Sequence, residues 1–181
     1  MISIQQLYKT YHRGNESVEA IRGIDLEIDK GEFIVILGPS GGGKSTLLNL
    51  ISGIDHPSSG SVTINGFALE KASEESLTIF RRDHVGFVFQ FYNLIAALNA
   101  VENVSLPIMA KGVSYKQART KAKQLLSSMG LENRLNHLPS ELSGGEQQRV
   151  AIARSIVTEP ELVLADEPTG DLDSATAKEI I

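Results

Sequence analysis

The residues best suited to chemistry form one short run, Gly-Pro-Ser-Gly-Gly-Gly-Lys-Ser, at positions 38–45. The run fits the phosphate-binding P-loop pattern, and it follows a predicted strand and precedes a predicted helix. Glycine allows backbone amides to approach a phosphate that a Cβ would obstruct. Lys44 is placed to reach the β- and γ-phosphates, and the Ser45 hydroxyl can ligate Mg²⁺. A glycine-rich turn that binds nothing would not require this context, so the run predicts a nucleotide site.

Two adjacent acids add what a phosphate loop alone lacks. Asp166 and Glu167 directly follow the apolar run Leu162–Ala165. An Asp at a strand end fits the Walker B role of holding Mg²⁺, usually through water. The adjacent Glu is placed to polarise an attacking water as general base. Taken alone, the pair is also typical of the solvated end of a strand, but its occurrence after a P-loop favours the chemical interpretation.

A third segment, Leu-Ser-Gly-Gly-Glu-Gln-Gln-Arg at positions 142–149, begins a helix. Ser143 and Glu146 have the spacing of a capping box, and the helix is predicted to run to about Thr158, before Pro160. Capping explains the Ser and the Glu, but it does not explain two glycines in a first helical turn. The two glycines leave the start of the helix without side chains, so we expect its backbone amides to approach an anion.

The strands that must position these residues are predicted from apolar spacing. Residues 33–37 and Leu162–Ala165 are continuously apolar, as expected of parallel strands covered on both faces. Since ligands lie beyond the carboxyl ends of such strands, we expect both to point at one crevice. A hairpin signal, Asn65-Gly66, and alternating apolar positions predict an antiparallel sheet with one solvated face. Those positions are Ile2, Ile4, Leu7, Ile24, Leu26, Ile28, Val62 and Ile64.

Helical spacing dominates the middle of the chain. A capping box over Ser114 and Gln117 and a stop at Gly130 predict one helix, whose apolar face is Ala118, Ala122, Leu125, Leu126 and Met129. We place a helical subdomain at 91–145, with 1–90 and 146–181 forming the core and its antiparallel part. The predicted fold class is α/β: a P-loop NTPase core with a mixed sheet, an antiparallel β subdomain and an inserted α-helical subdomain.

The composition excludes several classes of function. The 181 residues carry a net charge of −5, so the chain offers no general basic field for nucleic acid. It has no cysteine, which excludes disulfides, thiolate zinc sites and iron–sulfur clusters. The first residues lack the pattern of a secretory signal, and no apolar run approaches the ~20 residues of a membrane span. We expect a soluble domain that does not bind nucleic acid.

Together these motifs resemble the nucleotide-binding subunits of ABC transporters, over essentially the whole chain. The resemblance implies that Ser143 and Gly145 contact the γ-phosphate of an ATP held by a second protomer, in a head-to-tail dimer with two ATP molecules. Gln90 matches the Q-loop, which senses Mg²⁺ and water and links to the transmembrane partner. Tyr11 matches the aromatic residue that stacks on adenine, and Asp173 matches the D-loop that crosses to the other protomer.

The resemblance and the motifs assign roles as follows. Lys44, Gln90 and Glu167 are the catalytic candidates, and Ser45, Gln90 and Asp166 are the metal ligands. The residues expected to bind ATP are Tyr11, Gly38, Pro39, Ser40, Gly41, Gly42, Gly43, Lys44, Ser45, Thr46, Ser143, Gly144, Gly145, Glu146 and Asp173.

Within the family, the sequence is similar to ATPases of the macrolide-exporter and lipoprotein-release type. The runs that carry this similarity are 38–49, 85–94, 102–107 and 167–174. The implied cofactors are ATP and Mg²⁺. The implied partners are a second nucleotide-binding subunit and an integral-membrane permease, and the implied location is cytoplasmic, peripheral on the inner face of the cell membrane.

The sequence departs from the family pattern at one point. The family places a switch histidine one strand after the Walker B acids, whereas the histidines here all precede them, at His12, His56, His84 and His137. We therefore expect a chain truncated at its C-terminus that binds ATP and hydrolyses it slowly. An absent neighbouring strand should also expose an apolar edge beside Leu162–Ala165.

Two functions of different class stay open. The first is an ATP hydrolase that drives a permease for export or mechanotransmission. The second is an ATP-gated binding module with little turnover, such as a cell-division-type ABC ATPase or a catalytically defective fragment. A P-loop kinase is a further alternative, but it predicts an acceptor pocket and a lid and gives no reason for residues 142–149.

Overall fold

Alternating apolar residues in the first third of the chain form an antiparallel sheet, as predicted. The structure is a computed structural model that describes residues 1–14 and 16–168. In the first of two compact units, Met1–Ile79, the sheet has the strand order β2-β1-β3-β4. These strands are β1 (Ile2–Arg13), β2 (Glu16–Ile28), β3 (Ser59–Ile64) and β4 (Phe67–Ala68).

The register of this sheet places the predicted apolar positions opposite one another. Ile4 on β1 pairs with Leu26 on β2 and with Val62 on β3, and both Ile4 and Val62 are buried. Asn65 and Gly66 connect β3 to β4 with φ values of 48° and 84°. A two-residue hairpin loop of this kind requires positive φ at both positions, so the predicted hairpin is confirmed.

The prediction that residues 33–37 form a buried parallel strand is wrong. Among the described residues, no strand pairs with them, and Phe33 and Leu37 are each 87% exposed. A continuously apolar run indicates that both faces should be covered, but it supplies neither the neighbouring strand nor the covering layer. The helix predicted after the glycine-rich loop is present as α1 (Lys44–Ile51).

The second unit begins at Phe80 and contains a parallel pair of strands. Helix α2 (Glu74–His84) leads into β5 (Val85–Val88), which pairs with β6 (Leu162–Ala165). Strand β6 confirms a prediction, whereas β5 was not predicted as a strand. Leu164 on β6 is buried, but Val163 is 48% exposed. The prediction that both faces of this strand are covered is therefore wrong, and the exposed apolar edge stays a prediction.

Three helices of the second unit share a core. They are α3 (Ala100–Ala110), α4 (Tyr115–Ser128) and α5 (Gly144–Ile156). Ala118, Ala122 and Leu126 of the predicted α4 face are fully buried in this core, and Leu125 and Met129 pack against it. Gly130 follows α4 with a φ of 72°, which confirms the predicted stop.

The start of α4 differs from the prediction. The Ser114 hydroxyl donates to Gln117 Oε1 at 2.7 Å, and it makes no side-chain cap to the helix. Both side chains are exposed, and they bond to each other instead of to the backbone. The subdomain boundaries at 91 and 145 stay a prediction. Within the described part of the chain, no helix has both the length and the apolar character that a membrane span requires.

Candidate nucleotide-binding site

The glycine-rich loop at positions 38–43 has a backbone that needs glycine. Gly43 has a φ of 85°, and a Cβ at this position would lie 2.4 Å from the carbonyl oxygen of Ala20 on β2. The loop is closed by a hydrogen bond of 3.1 Å from the Gly42 N–H to the Pro39 carbonyl. The loop therefore has no room for a side chain at Gly43.

Helix α1 starts at the end of this loop in a form suited to an anion. Its N-cap is Gly43, which provides no side-chain cap, so the N–H groups of the first turn are presented to an incoming ligand. The Lys44 ammonium donates to the carbonyls of Gly38 at 3.1 Å and of Pro39 at 3.0 Å. Glycine amides, an uncapped helix start and an ammonium group fit a triphosphate. The exposed Ser45 hydroxyl is a hard oxygen donor of the kind that Mg²⁺ prefers.

Tyr11 lies on β1, in the same unit as the loop. Its hydroxyl donates a hydrogen bond of 2.7 Å to Asp55 Oδ2. Burial raises the pKa of the Tyr11 phenol and so does the bond to Asp55, while a hydrogen bond with Thr46 acts in the opposite direction. The pKa is raised on balance, so the phenol keeps its proton and its role as donor. Because Thr46 belongs to the first turn of α1, the Tyr11 hydroxyl lies close to the start of that helix.

The carboxyl ends of β5 and β6 bring together two residues that are 77 positions apart. Gln90 Nε2 donates to Glu167 Oε2 at 3.0 Å, and the Asp166 N–H donates to the Val88 carbonyl at 2.9 Å. Glu167 has a φ of 45°, in the left-handed region that residues other than glycine seldom adopt. Such strained positions concentrate at functional sites. The structure thus joins the predicted Q-loop residue to the predicted general base.

The start of α5 confirms the predicted capping box. The Glu146 N–H donates to Ser143 Oγ at 3.3 Å, and the Ser143 N–H donates to Glu146 Oε2 at 2.8 Å. That backbone N–H, followed by the Arg134 guanidinium at 2.8 Å, lowers the pKa of Glu146. Ser143 is exposed, whereas Gly145 is buried. The helix ends at Ile156, two residues before the predicted end.

Arg154 is a residue that sequence reasoning missed. On α5, it donates to the carbonyls of Tyr92 at 2.7 Å and of Asn93 at 2.6 Å, two and three positions after Gln90. Burial lowers the pKa of its guanidinium. The sequence signal that could have identified it is a charged residue flanked by two small ones, Ala153 and Ser155, both of which are buried in the fold.

The predicted site residues occur in both units. The first unit holds Tyr11, Gly38, Pro39, Ser40, Gly41, Gly42, Gly43, Lys44, Ser45 and Thr46. The second holds Gln90, Ser143, Gly144, Gly145, Glu146, Asp166 and Glu167. Asp173 lies outside the described residues.

Comparison with known proteins decides the family. A family model described as ABC transporter matches residues 21–170. The chain belongs to the ABC transporter family. It is 48% identical to the lipoprotein-releasing system ATP-binding protein LolD of Legionella pneumophila (strain Lens), over 99% of this chain and 79% of that relative. It is 46% identical to an uncharacterized ABC transporter ATP-binding protein of Thermotoga maritima, over all of this chain and 77% of that relative.

A solved ABC cassette has the same fold. The cassette MJ0796, described as a dimeric post-hydrolysis state bound to ADP and Pi, superposes with a TM-score of 0.93 at 44% identity, over 99% of this chain and 79% of that chain. These findings confirm the predicted α/β P-loop NTPase fold and the similarity to lipoprotein-release ATPases. As an ABC ATPase, the chain is an ATP-binding protein and an ATP hydrolase.

Proposed function

We propose that this chain binds Mg-ATP and hydrolyses it in a head-to-tail dimer to drive a transmembrane permease of the export or mechanotransmission type. The observation that carries the proposal is the glycine-rich loop at 38–43, which opens onto the uncapped start of α1. The description of MJ0796 as a dimer bound to ADP and Pi supports the dimer and the reaction. The names of the LolD relatives support a transport complex.

In this mechanism the loop binds the phosphates through backbone amides. The Lys44 ammonium, held by the carbonyls of Gly38 and Pro39, exchanges those acceptors for β- and γ-phosphate oxygens. The Ser45 hydroxyl, the Asp166 carboxylate and the Gln90 amide would hold Mg²⁺, largely through water. When bound, Mg²⁺ neutralises charge that develops on the transferring phosphoryl group.

Glu167 acts on the attacking water. Its carboxylate accepts a hydrogen bond from Gln90 through Oε2 at 3.0 Å, so Gln90 orients the carboxylate. The oriented carboxylate can then accept a proton from the attacking water as general base. Gln90 thereby couples the position of the base to the segment that follows it.

In the dimer, helix α5 of one protomer completes the site of the other. Ser143 is exposed at the start of α5, where its hydroxyl and the helix dipole can approach the γ-phosphate of an ATP on the other protomer. Gly144, Gly145 and Glu146 shape the same helix start, and Asp173 is proposed to cross to that protomer. We place the permease contact near Gln90 and the helical subdomain at 91–145, which puts the chain on the cytoplasmic face of the membrane.

The test is phosphate release from Mg-ATP as a function of chain concentration. A hydrolytic dimer gives a rate that rises as the square of the concentration, and Glu167→Gln abolishes it while ATP binding is retained. Asp25→Asn is the matched control, since it alters a carboxylate of the first unit that accepts from the Gln6 N–H. No release above the Glu167→Gln baseline, with ATP still bound, would instead identify an ATP-gated binding module.

A further inference from the structure

Asp55 lies outside every predicted motif, yet it is bonded to Tyr11. We propose that Asp55 is a positioning residue that holds the Tyr11 ring in place for an adenine base, with Lys9 as its second anchor. The inference rests on the proposed ATP site. It adds to that site a carboxylate that touches the aromatic residue and does not itself contact the nucleotide.

The two oxygens of Asp55 are held from two sides. Oδ2 accepts the Tyr11 hydroxyl at 2.7 Å, and Oδ1 accepts the Lys9 ammonium at 2.6 Å. The Lys9 side chain is only 13% exposed, and its ammonium also donates to the His56 carbonyl at 2.7 Å. A charge-assisted contact shielded from water is stronger than an exposed surface pair. The carboxylate therefore has little freedom to rotate.

Lys9 also contacts the ring directly. Its ammonium lies over the Tyr11 ring, 4.8 Å from the centroid, in the geometry of a cation–π interaction. One face of the ring is thereby occupied by a cation, so a base has only the opposite face on which to stack. Lys9 and Asp55 together select the face that Tyr11 presents.

The ionised state of Asp55 supports this arrangement. Burial raises the pKa of Asp55, but hydrogen bonds from Lys9, from Tyr11 and from the His56 N–H lower it, and the pKa is lowered on balance. The carboxylate thus stays charged at neutral pH and accepts from both anchors. Thr46, in the first turn of α1, also acts on the pKa of the Tyr11 hydroxyl. The hydroxyl is thus close to the helix that starts at the phosphate loop of the same unit.

This arrangement predicts that a substitution of Asp55 lowers only the part of the ATP affinity that comes from the adenine base. We expect Asp55→Asn to raise the Kd for ATP roughly three- to tenfold, the cost of one weakened hydrogen bond. The Kd for inorganic tripolyphosphate, which has no base to stack, should stay unchanged. Tyr11→Phe keeps the ring and removes its hydroxyl, so it should also weaken ATP binding and leave tripolyphosphate binding unchanged. The double variant should lose less affinity than the sum of the two single variants, because both remove the bond between Asp55 and Tyr11.

The experiment is calorimetric titration of the full chain with ATP and, separately, with tripolyphosphate. Asp25→Asn is again the control, since Asp25 also accepts hydrogen bonds from a residue of β1, Gln6, but is not bonded to Tyr11. An equal loss of affinity for ATP and for tripolyphosphate in Asp55→Asn would overturn the inference and assign Asp55 a purely structural role. Unchanged ATP affinity would overturn it as well.

The same titrations separate the inference from the function on which it rests. A wild-type chain that binds neither ATP nor tripolyphosphate would refute the proposed site itself. If Tyr11→Ala binds ATP as tightly as the wild-type chain, the stacking of adenine on Tyr11 is refuted, and the role of Asp55 with it. A loss in Tyr11→Ala without a loss in Asp55→Asn would refute the role of Asp55 alone.

Discussion

Arg154 should control the segment after Gln90 without contacting a nucleotide. Its guanidinium donates two hydrogen bonds, to the carbonyls of Tyr92 and Asn93. These two residues have φ values of 57° and 48°. The left-handed conformation costs roughly 1–2 kcal/mol for a residue with a Cβ. Two bonds from one charged donor therefore hold two residues with left-handed backbones, of which Tyr92 bears the larger cost, at two and three positions after Gln90.

The magnitude of the effect follows from these contacts. A hydrogen bond from a charged group contributes ~1.5–3 kcal/mol, but Arg154 is only partly buried, so water can replace part of each bond. We expect Arg154→Met to lower the free energy of local opening by about 2 kcal/mol, which corresponds to a factor of about 30.

Native-state hydrogen exchange measures that opening. The amides of Tyr92 and Asn93 donate to the carbonyls of Phe89 and Phe91, and we expect both amides to exchange about 30-fold faster in Arg154→Met. Phosphate release should fall as well, because Gln90 lies only two positions before the loosened residues. Arg82→Met is the control, as it removes an exposed pair with the adjacent Asp83. Unchanged exchange at both amides would refute the reasoning.

Two further predictions concern the loop and the capping box. Gly43→Ala should lower the free energy of unfolding by roughly 2–5 kcal/mol, because φ is 85° and the Cβ would meet the Ala20 carbonyl. Urea titrations measure this loss. Gly130→Ala is the control, because its φ is also positive but a Cβ there would meet open space, so it should lose only roughly 1–2 kcal/mol. Equal losses in Gly43→Ala and Gly130→Ala would contradict the clash. The pKa of Glu146 is lowered, first of all by the hydrogen bond from the Ser143 N–H. The resulting contribution to the free energy of unfolding is present above the ordinary pKa of 4.5 and is lost as the pH falls through the lowered pKa. Glu146→Gln should therefore flatten unfolding stability against pH in that range, and an unchanged slope would contradict it.

Features that depend on residues close in sequence could be read from the sequence. The capping box joins Ser143 to Glu146, three residues apart, and its hydrogen bonds are present in the fold. The Asn65-Gly66 hairpin likewise depends on two adjacent residues that adopt positive φ. The phosphate loop at 38–45 belongs to this class, because its glycines, lysine and helix start are consecutive. Such features follow from local sterics and hydrogen bonding, so residue types and spacing predict most of them. Ser114 and Gln117 are an exception, because with the same spacing they bond to each other and form no capping box.

Features that join distant residues were decided by the tertiary structure alone. Gln90 reaches Glu167 because β5 and β6 pair in parallel, and Asp55 reaches Tyr11 across 44 positions. Residues 33–37 show the converse, since they are apolar enough for a buried strand yet pair with no strand among the described residues. A pairing partner or a distant carboxylate leaves no mark in the local pattern of a segment. The sequence by itself thus determined the family of this protein and its class of chemistry, whereas the contacts that orient the proposed catalytic and aromatic side chains arose only from folding.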